Sequence, residues 1–243
     1  MTALATTIRS ALADAADPDR AAGQQAYMKS TMPFRGVSLP HVRTAVRAAT
    51  KGEKDPAVLR DVALELWDDA SFREDRYAAM ALLALRPARG DLALVPLIEH
   101  MVRTGRWWDF TDDLAHRVAE LHDAHPEATA ALVRRWSTDD DMWMRRIAII
   151  SQLGRRDRVD AALLSDVITP NLADPEFFIR KAIGWALREY ARVAPAWVAG
   201  FVDERPLSPL SRREALKHLG DQSASGRTAS ATVSGAATRP SRT

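Results

Sequence analysis

The feature that most constrains this chain is a succession of short segments with helical spacing of apolar residues, each separated from the next by only a few residues. Eleven glycines in 243 residues are few, and no segment alternates Val, Ile and Thr as a strand would. Short amphipathic helices with short connections are typical of antiparallel pairs stacked into a curved solenoid with a concave face. We predict thirteen helices, over residues 2–15, 18–30, 39–51, 56–68, 71–86, 91–103, 109–123, 126–137, 141–153, 159–172, 175–191, 195–203 and 208–219.

Three Asp-Pro pairs, at residues 17–18, 55–56 and 174–175, mark predicted helix starts. Each places a capping carboxylate before a proline that suits the first helical turn. The pairs are 38 and 119 residues apart, and the second interval is about three times forty, the period of two-helix HEAT-like units. The predicted fold class is therefore all-α, a curved right-handed α-solenoid of HEAT-like antiparallel helix pairs.

Composition divides the chain into two parts. Residues 221–243 are rich in Ser, Thr and Ala, so we expect a disordered tail after a single helical domain over residues 1–220. The tail holds three Arg and one Asp, which leaves 31 basic and 31 acidic residues in the helical part. An anion-binding surface must therefore come from segregated charge. Basic clusters near residues 134, 145, 155, 181 and 212 offer one, although they also fit a solvated helix face.

Several chemistries lack support in the sequence. There is no cysteine, so a thiolate nucleophile and cysteine-based metal sites are excluded. The histidines form no HxH or HExxH motif, and neither a glycine-rich phosphate loop nor a GxSxG elbow is present, so metal, NTP and serine hydrolysis lack support. No apolar stretch of about 18 residues occurs, and no coiled-coil seam stands out. We expect a soluble, cytoplasmic monomer.

The predicted helix over residues 175–191 has two apolar faces, one of which is an ordinary core stripe. The other carries Phe177 or Phe178, followed by Lys181, Trp185 and Arg188. Aromatic rings beside cations on one helix surface suit a groove for phosphates and a planar group. The alternative is that Trp185 is a large core residue at a contact with a neighbouring helix.

The segment 107–113 places Trp108 and Asp112 four residues apart, so a ring and a carboxylate share one helix face. In the alternative interpretation Asp109 is the N-cap, Asp112 is an acid of the first turn, and the tryptophans fill a junction between repeats. Arg146 lies beside a core stripe and is either a solvated arginine or a phosphate ligand.

Six segments occur together and in one order across residues 20–218, and with them the chain resembles the AlkD-like HEAT-repeat family of DNA alkylation-repair glycosylases. The segments are Tyr27-Met28-Lys29 followed by Pro33-Phe34-Arg35-Gly36-Val37, Trp107-Trp108-Asp109 with Asp112, Trp143-Met144-Arg145-Arg146, Phe177-Phe178-Ile179-Arg180-Lys181-Ala182-Ile183-Gly184-Trp185, and Leu210-Ser211-Arg212-Arg213-Glu214-Ala215. Their joint occurrence is much more specific than any one of them.

The resemblance implies a C-shaped solenoid that grips duplex DNA and releases N3- or N7-alkylated purines without a metal or organic cofactor. By motif position it implies that Asp112 is the catalytic carboxylate and that Trp108 and Trp185 are the aromatic walls of the cleft. It also implies that Arg146 holds the DNA backbone near the lesion. Further DNA-binding residues implied by the same motifs are Tyr27, Phe178, Lys181 and Arg188.

The chemistry is consistent with a single carboxylate. An alkyl group on N3 or N7 makes the purine cationic, so the base leaves as a neutral molecule and needs no general acid. One anion beside the sugar then stabilises the oxocarbenium-like transition state and orients or deprotonates water, which is half of the usual two-carboxylate apparatus. We expect Asp112 to be this anion.

Two other functions fit the same helical stack. One is a non-catalytic scaffold that binds a protein partner in the groove, because a fold does not determine a function. The other is a catalytically silent module that binds damaged DNA through the basic clusters alone. Neither requires Asp112.

Overall fold

The computed structural model describes residues 1–217 and 219. Within these residues the chain forms thirteen α-helices and four 3-10 turns, and it forms no strand. The expected disordered tail at residues 221–243 lies outside the described residues. No helix in the described part is long and apolar enough to cross a membrane.

All thirteen predicted helices are present, and the all-α class and the solenoid stacking are confirmed. The helices are α1 (Ala3–Asp14), α2 (Pro18–Met28), α3 (Leu39–Ala49), α4 (Pro56–Asp68), α5 (Arg73–Leu83), α6 (Val95–Gly105), α7 (Trp108–Ala124), α8 (Pro126–Trp136), α9 (Met142–Ile150), α10 (Ala161–Ile168), α11 (Phe177–Tyr190), α12 (Pro195–Glu204) and α13 (Pro209–Ala215). The largest boundary differences are of four residues: α10 and α13 end four residues early, and α6 begins four residues late, at Val95, because Asp91 caps a separate 3-10 turn before it.

Alternate helices form one continuous row. In this row, which we call the site row, α3, α5, α7, α9, α11 and α13 each contact the next member. The intervening helices pack behind it, as α4 does on α5 and α8 does on α7 and α9. Two layers of helices thereby bury a common core that includes the fully buried rings of Trp67, Phe110 and Trp136.

The repeat length is shorter than predicted. Successive helices of the site row begin 32 to 35 residues apart, so the expected period of forty is wrong. The Asp-Pro pairs misled because they mark different layers: residues 55–56 precede α4, in the layer behind the site row, whereas residues 174–175 precede α11, in the row itself.

Two of the three predicted caps are present. The carboxylates of Asp17 and Asp55 accept bonds from backbone N–H groups at the starts of α2 and α4, at 3.1 and 2.8 Å. The third prediction is wrong, because α11 begins only at Phe177, after the proline. The Asp174 Oδ1 accepts the Glu176 N–H at 2.8 Å before the helix begins, and its Oδ2 pairs with the Arg145 guanidinium at 3.0 Å and ties α9 to the segment before α11.

A buried carboxylate fixes the loop that leads into α3. Glu74 is fully buried, and its oxygens accept backbone N–H bonds from residues 35, 36 and 37 at 2.9, 2.9 and 3.1 Å. Gly36 adopts φ +87°, and a Cβ there would lie 1.9 Å from the Asp17 carbonyl oxygen. Only glycine fits this close approach of the loop to α2.

We predict that Gly36→Ala destabilises the protein far more than Gly52→Ala. Both glycines have a positive φ, +87° and +90°, but nothing lies within 4 Å of a Cβ at Gly52. Gly52→Ala should therefore cost about 1 kcal/mol from backbone strain alone. Gly36→Ala adds a steric clash with backbone and should cost about 3 kcal/mol or more of unfolding free energy in urea titrations. Equal losses would contradict the close contact.

Candidate active site

A cavity of about 390 Å³ opens between α2, α3, α5, α7 and α11. A mostly apolar cleft with a few convergent polar groups is typical of a ligand site. Its lining residues are Gln24, Tyr27, Met28, Phe34, Val37, Leu39, Tyr77, Met80, Trp108, Asp109, Asp112, Asp113, His116 and Trp185. The structure therefore brings together four of the predicted residues, which are Tyr27, Trp108, Asp112 and Trp185, and leaves the other four outside the lining.

The Asp112 carboxylate is held by an arginine from the next helix of the site row. Arg146 on α9 donates from Nε to Oδ1 and from Nη2 to Oδ2, both at 2.8 Å. Its third nitrogen, Nη1, donates to the Phe178 carbonyl oxygen on α11 at 2.6 Å. Two parallel bonds fix the plane of the carboxylate as well as its position.

This geometry does not fit the expected contact of Arg146 with the DNA backbone. Such a contact needs an accessible guanidinium, but Arg146 is 5% exposed and all three of its nitrogens have protein partners. The expected groove position of the Phe178 ring is not found either. That ring packs against Trp107 and Trp143, with ring centroids 5.8 and 5.1 Å away.

Burial raises the pKa of Asp112 above its ordinary value, and the pair with Arg146 opposes this shift. The Asp109 carboxylate also raises the pKa, whereas His116 lowers it. The Asp112 side chain keeps 16% of its surface exposed and lines the cavity. A carboxylate that is partly desolvated yet reachable from a cleft is a stronger base than a surface aspartate.

The neighbouring acid, Asp113, has a different environment. Its Oδ2 pairs with the Arg43 guanidinium on α3 at 3.2 Å, and the Arg43 side chain is 52% exposed. The pair therefore lies at the rim of the cavity, where water screens it. The spacing from Trp108 predicted Asp112 as the carboxylate that faces the cavity. The ion pairs agree, because Asp112 pairs with the buried Arg146 and Asp113 pairs with the exposed Arg43.

A second buried Arg–Asp pair lies one turn before Asp112 on α7. Arg73 donates from Nη2 to Asp109 at 2.7 Å and from Nη1 to Ser30 at 3.2 Å, while the Tyr77 hydroxyl donates to Asp109 at 2.7 Å. Burial and the Asp109 carboxylate raise the pKa of Tyr77. The interpretation of Asp109 as an N-cap is wrong, because the cap position is Trp107 and Asp109 lies inside the helix.

The sequence analysis missed this network. Arg73 and Tyr77 are four residues apart on a predicted helix, which places them on one face. That signal was available, but the partner on α7 is not visible from one helix alone. The network matters to the site because it connects the segment after α2 with the floor of the cavity.

Trp108 and Trp185 line the same cavity as Asp112. Trp108 and Trp185 are half-buried: each packs on the core and also lines the cavity. Tyr27 is 76% exposed and meets Trp108 edge-on, with the centroids 6.5 Å apart. The alternative in which Trp185 is only a core residue does not account for its place in the cavity wall.

Most of the basic clusters are neutralised by ion pairs. Lys181 and Arg188 both contact Glu214 and do not line the cavity. The same holds elsewhere, in the pairs Arg134–Asp166, Arg155–Asp123, Arg158–Asp123 and Arg212–Asp203. The clusters are therefore not an open basic surface. The near-zero charge of the helical part is arranged as local pairs.

Two exposed cations near the cavity were missed by sequence reasoning. Lys29 follows the cavity residues Tyr27 and Met28, and Arg106 precedes Trp108. Both adopt a left-handed backbone, with φ 49° and 45°, at the ends of α2 and α6. Neither forms an ion pair or side-chain hydrogen bond with another described residue, so both are available to an anion.

Among the described residues, no group of three or more His, Cys, Asp or Glu side chains is placed to hold a metal ion. His122 is buried, and its Nε2 lies 3.2 Å from Ser151 Oγ. Burial lowers the pKa of His122 to about 4, so the ring is neutral near pH 7 and is a core residue.

Comparisons with known proteins agree with this architecture. A family model described as "DNA alkylation repair enzyme" matches residues 8–219. A solved structure described as a predicted DNA alkylation repair enzyme from Enterococcus faecalis is similar, with a TM-score of 0.68 and 27% sequence identity. The match covers 84% of this chain and 96% of that one. No curated protein matches the chain.

We predict that Asp109→Asn destabilises the fold much more than Asp113→Asn. Removing the Asp109 charge leaves the Arg73 guanidinium buried without a counter-ion, which should cost about 3 kcal/mol or more of unfolding free energy. Asp113 pairs with the exposed Arg43, so its substitution should cost less than about 1 kcal/mol. Urea unfolding of both variants checks this, and similar losses would show that Arg73 does not depend on Asp109.

Proposed function

Because the chain belongs to the DNA alkylation repair enzyme family, we propose that it is a DNA glycosylase that hydrolyses the N-glycosidic bond of N3- or N7-alkylated purines in duplex DNA. The observation that carries this proposal is the Asp112 carboxylate, fixed by Arg146 in a cavity whose walls include Trp108 and Trp185. The proposed substrate is cationic, and the site offers one anion and several π-faces to receive it.

The reaction needs little from the protein beyond electrostatics. The alkylated purine already carries the positive charge, so the C1′–N bond breaks with its electrons passing to the base, which leaves neutral. Positive charge then develops on the sugar, and Asp112 stabilises it through space. The same carboxylate accepts the proton of the water that adds to C1′.

Arg146 is best described as a positioning residue for Asp112. Its two parallel bonds occupy one lone pair on each carboxylate oxygen, and each oxygen keeps a second lone pair for water or for the sugar. Its positive charge also limits the rise of the Asp112 pKa that burial causes. Arg146 thereby keeps a desolvated base ionised near neutral pH.

The aromatic rings supply preference for damaged bases. A cationic purine over Trp108, Trp185 or Tyr27 gains about 0.5 to 2 kcal/mol of cation–π attraction that a neutral purine does not gain. The cavity is open to solvent on the side of the exposed Tyr27 ring, so the proposal does not require the damaged base to flip out of the base stack of the DNA duplex.

We predict that the purified protein releases 7-methylguanine or 3-methyladenine from alkylated duplex DNA and that Asp112→Asn lowers the single-turnover rate by about 10² or more. DNA binding should be nearly unchanged, because Asp112 supplies no attraction for phosphate. Asp113→Asn is the matched control and should keep most of the activity, since Asp113 pairs with Arg43 at the rim. Full activity of Asp112→Asn would refute the mechanism. Binding without base release by the unaltered protein would favour a DNA-binding module, and neither activity would favour a scaffold.

We also predict a distinctive pH dependence. Protonation removes the negative charge of Asp112, so the rate is complete above the Asp112 pKa and falls as the pH drops through it. Because burial raises that pKa, the fall should begin at a higher pH than an ordinary aspartate would give. Single-turnover rates, corrected for spontaneous depurination, measure it.

Arg146→Lys tests the origin of this profile. The lysine keeps a positive charge but loses the two parallel bonds, so the Asp112 pKa should rise further. The fall in rate at acidic pH, which we call the acid limb, should then begin at a higher pH. A merely structural role for Arg146 predicts lower activity at every pH with no movement of the limb, and that result would count against the positioning role.

A further inference from the structure

Glu214 on α13 holds two of the cations that were expected to bind DNA. Its Oε1 lies 3.1 Å from Lys181 Nζ, and its Oε2 lies 2.9 Å from Arg188 Nη1. Glu214 and Arg188 expose only 18% and 22% of their side chains, whereas Lys181 exposes 39%. One carboxylate therefore forms ion pairs with both of these cations of α11.

Close packing of the two helices places Glu214 there. Gly184 lies between Lys181 and Arg188 on α11, and a Cβ at Gly184 would meet the Glu214 Cβ at 2.5 Å and the Ser211 carbonyl oxygen at 3.0 Å. The Ser211 hydroxyl also donates to a carbonyl oxygen of α11 at 2.9 Å. The two helices can approach this closely only because glycine at residue 184 has no Cβ. The contact between α11 and α13 therefore determines the position of Glu214.

The three charged groups lie beside the proposed base-binding wall. Trp185 follows Lys181 by four residues and precedes Arg188 by three, so all three side chains share one face of α11. Trp185 lines the cavity that contains Asp112. Cations at this place would meet the phosphates that flank a nucleotide in the cavity.

The cluster has a net charge of +1, where the two cations alone would present +2. Hydrogen bonding and attraction from Lys181, together with the Arg188 charge, lower the pKa of Glu214, so its carboxylate stays ionised at neutral pH. A phosphate that approaches Lys181 or Arg188 must compete with this fixed anion. Phosphate contacts are the same in damaged and undamaged DNA, so weakening them lowers the affinity for both and reduces the share of the protein held on undamaged duplex.

We propose that Glu214 attenuates the non-specific binding of duplex DNA: it competes with DNA phosphates for Lys181 and Arg188 beside Trp185 and so weakens the phosphate contacts that hold undamaged duplex. This inference rests on the proposed function, because it assumes that duplex DNA occupies the cleft. It adds a role for a residue that touches neither the base nor the reacting atoms.

Glu214→Gln tests the competition directly. The amide keeps the size of the side chain and removes its charge, so Lys181 loses this competitor and Arg188 keeps only the longer contact of its Nε with Glu189, at 3.9 Å. We expect undamaged duplex to bind about 5- to 10-fold more tightly at low salt, with the slope of log affinity against log salt steeper by about 1 to 2. Damaged duplex should gain by a similar factor, because its phosphate contacts are the same.

Asp123→Asn is the matched control. Asp123 also lies between two arginines, Arg155 at 3.1 Å and Arg158, and its substitution makes the same change in net charge. It lies eleven residues beyond Asp112 on α7, about 16 Å along the helix and away from the cavity lining. Equal effects of the two substitutions would indicate net charge alone and would overturn the inference.

Lys181→Ala in the unaltered background gives a second test that does not depend on the folding of Glu214→Gln. If Glu214 occupies the lysine, this substitution should change the affinity for undamaged duplex by less than about twofold and leave the salt slope unchanged. A loss of several-fold with a slope shallower by about one would show that Lys181 already binds phosphate, and would refute the competition. A protein that binds no duplex at all would refute the proposed function instead.

Discussion

The site depends on two buried arginine–aspartate pairs that join three consecutive helices of the site row. Asp109 and Asp112 lie on successive turns of α7, and their partners, Arg73 and Arg146, come from α5 on one side and α9 on the other. A buried ion pair is stable only when its geometry is good, because desolvation costs several kcal/mol for each ion. The pairs therefore fix how the three helices are placed relative to one another, and the position of the carboxylate follows from the helix stacking.

The two pairs differ in a way that suits different tasks. Asp109 accepts from Arg73 and Tyr77 and supports the floor of the cavity, whereas Asp112 accepts from Arg146 alone among the described residues and keeps part of its surface on the cleft. Burial still raises the pKa of Asp112 against the attraction of Arg146. The raised pKa means that this carboxylate is incompletely compensated in the folded protein. A fully satisfied carboxylate would be a weaker base and a poorer partner for a developing cation.

Sequence reasoning predicted the features that one helix contains. Helical periodicity gave all thirteen helices, and the spacing of four residues between Trp108 and Asp112 gave the ring and carboxylate that share the cavity. It did not predict interactions in which the partner side chain lies on another helix. The sequence around an arginine such as Arg146 is the same whether the side chain faces solvent or a buried carboxylate. The packing of neighbouring helices determines which of the two it contacts. The wrong period of forty had the same cause, since a marker near a helix start does not say to which layer the helix belongs.

The stacking itself supplies the missing rule. Successive helices of the site row begin 32 to 35 residues apart, and the partners Arg73–Asp109, Asp112–Arg146 and Lys181–Glu214 are separated by 36, 34 and 33 residues. Opposite charges one repeat apart on matching helices therefore become neighbours in a solenoid. A cation on the site row can therefore do one of two things: it can pair with a carboxylate of the neighbouring repeat, or it can attract an external polyanion. The side chains that hold the stack together are then unavailable to phosphate, and an open basic groove requires cations at repeat junctions, such as Lys29 and Arg106, that have no side-chain partner within the described part of the chain.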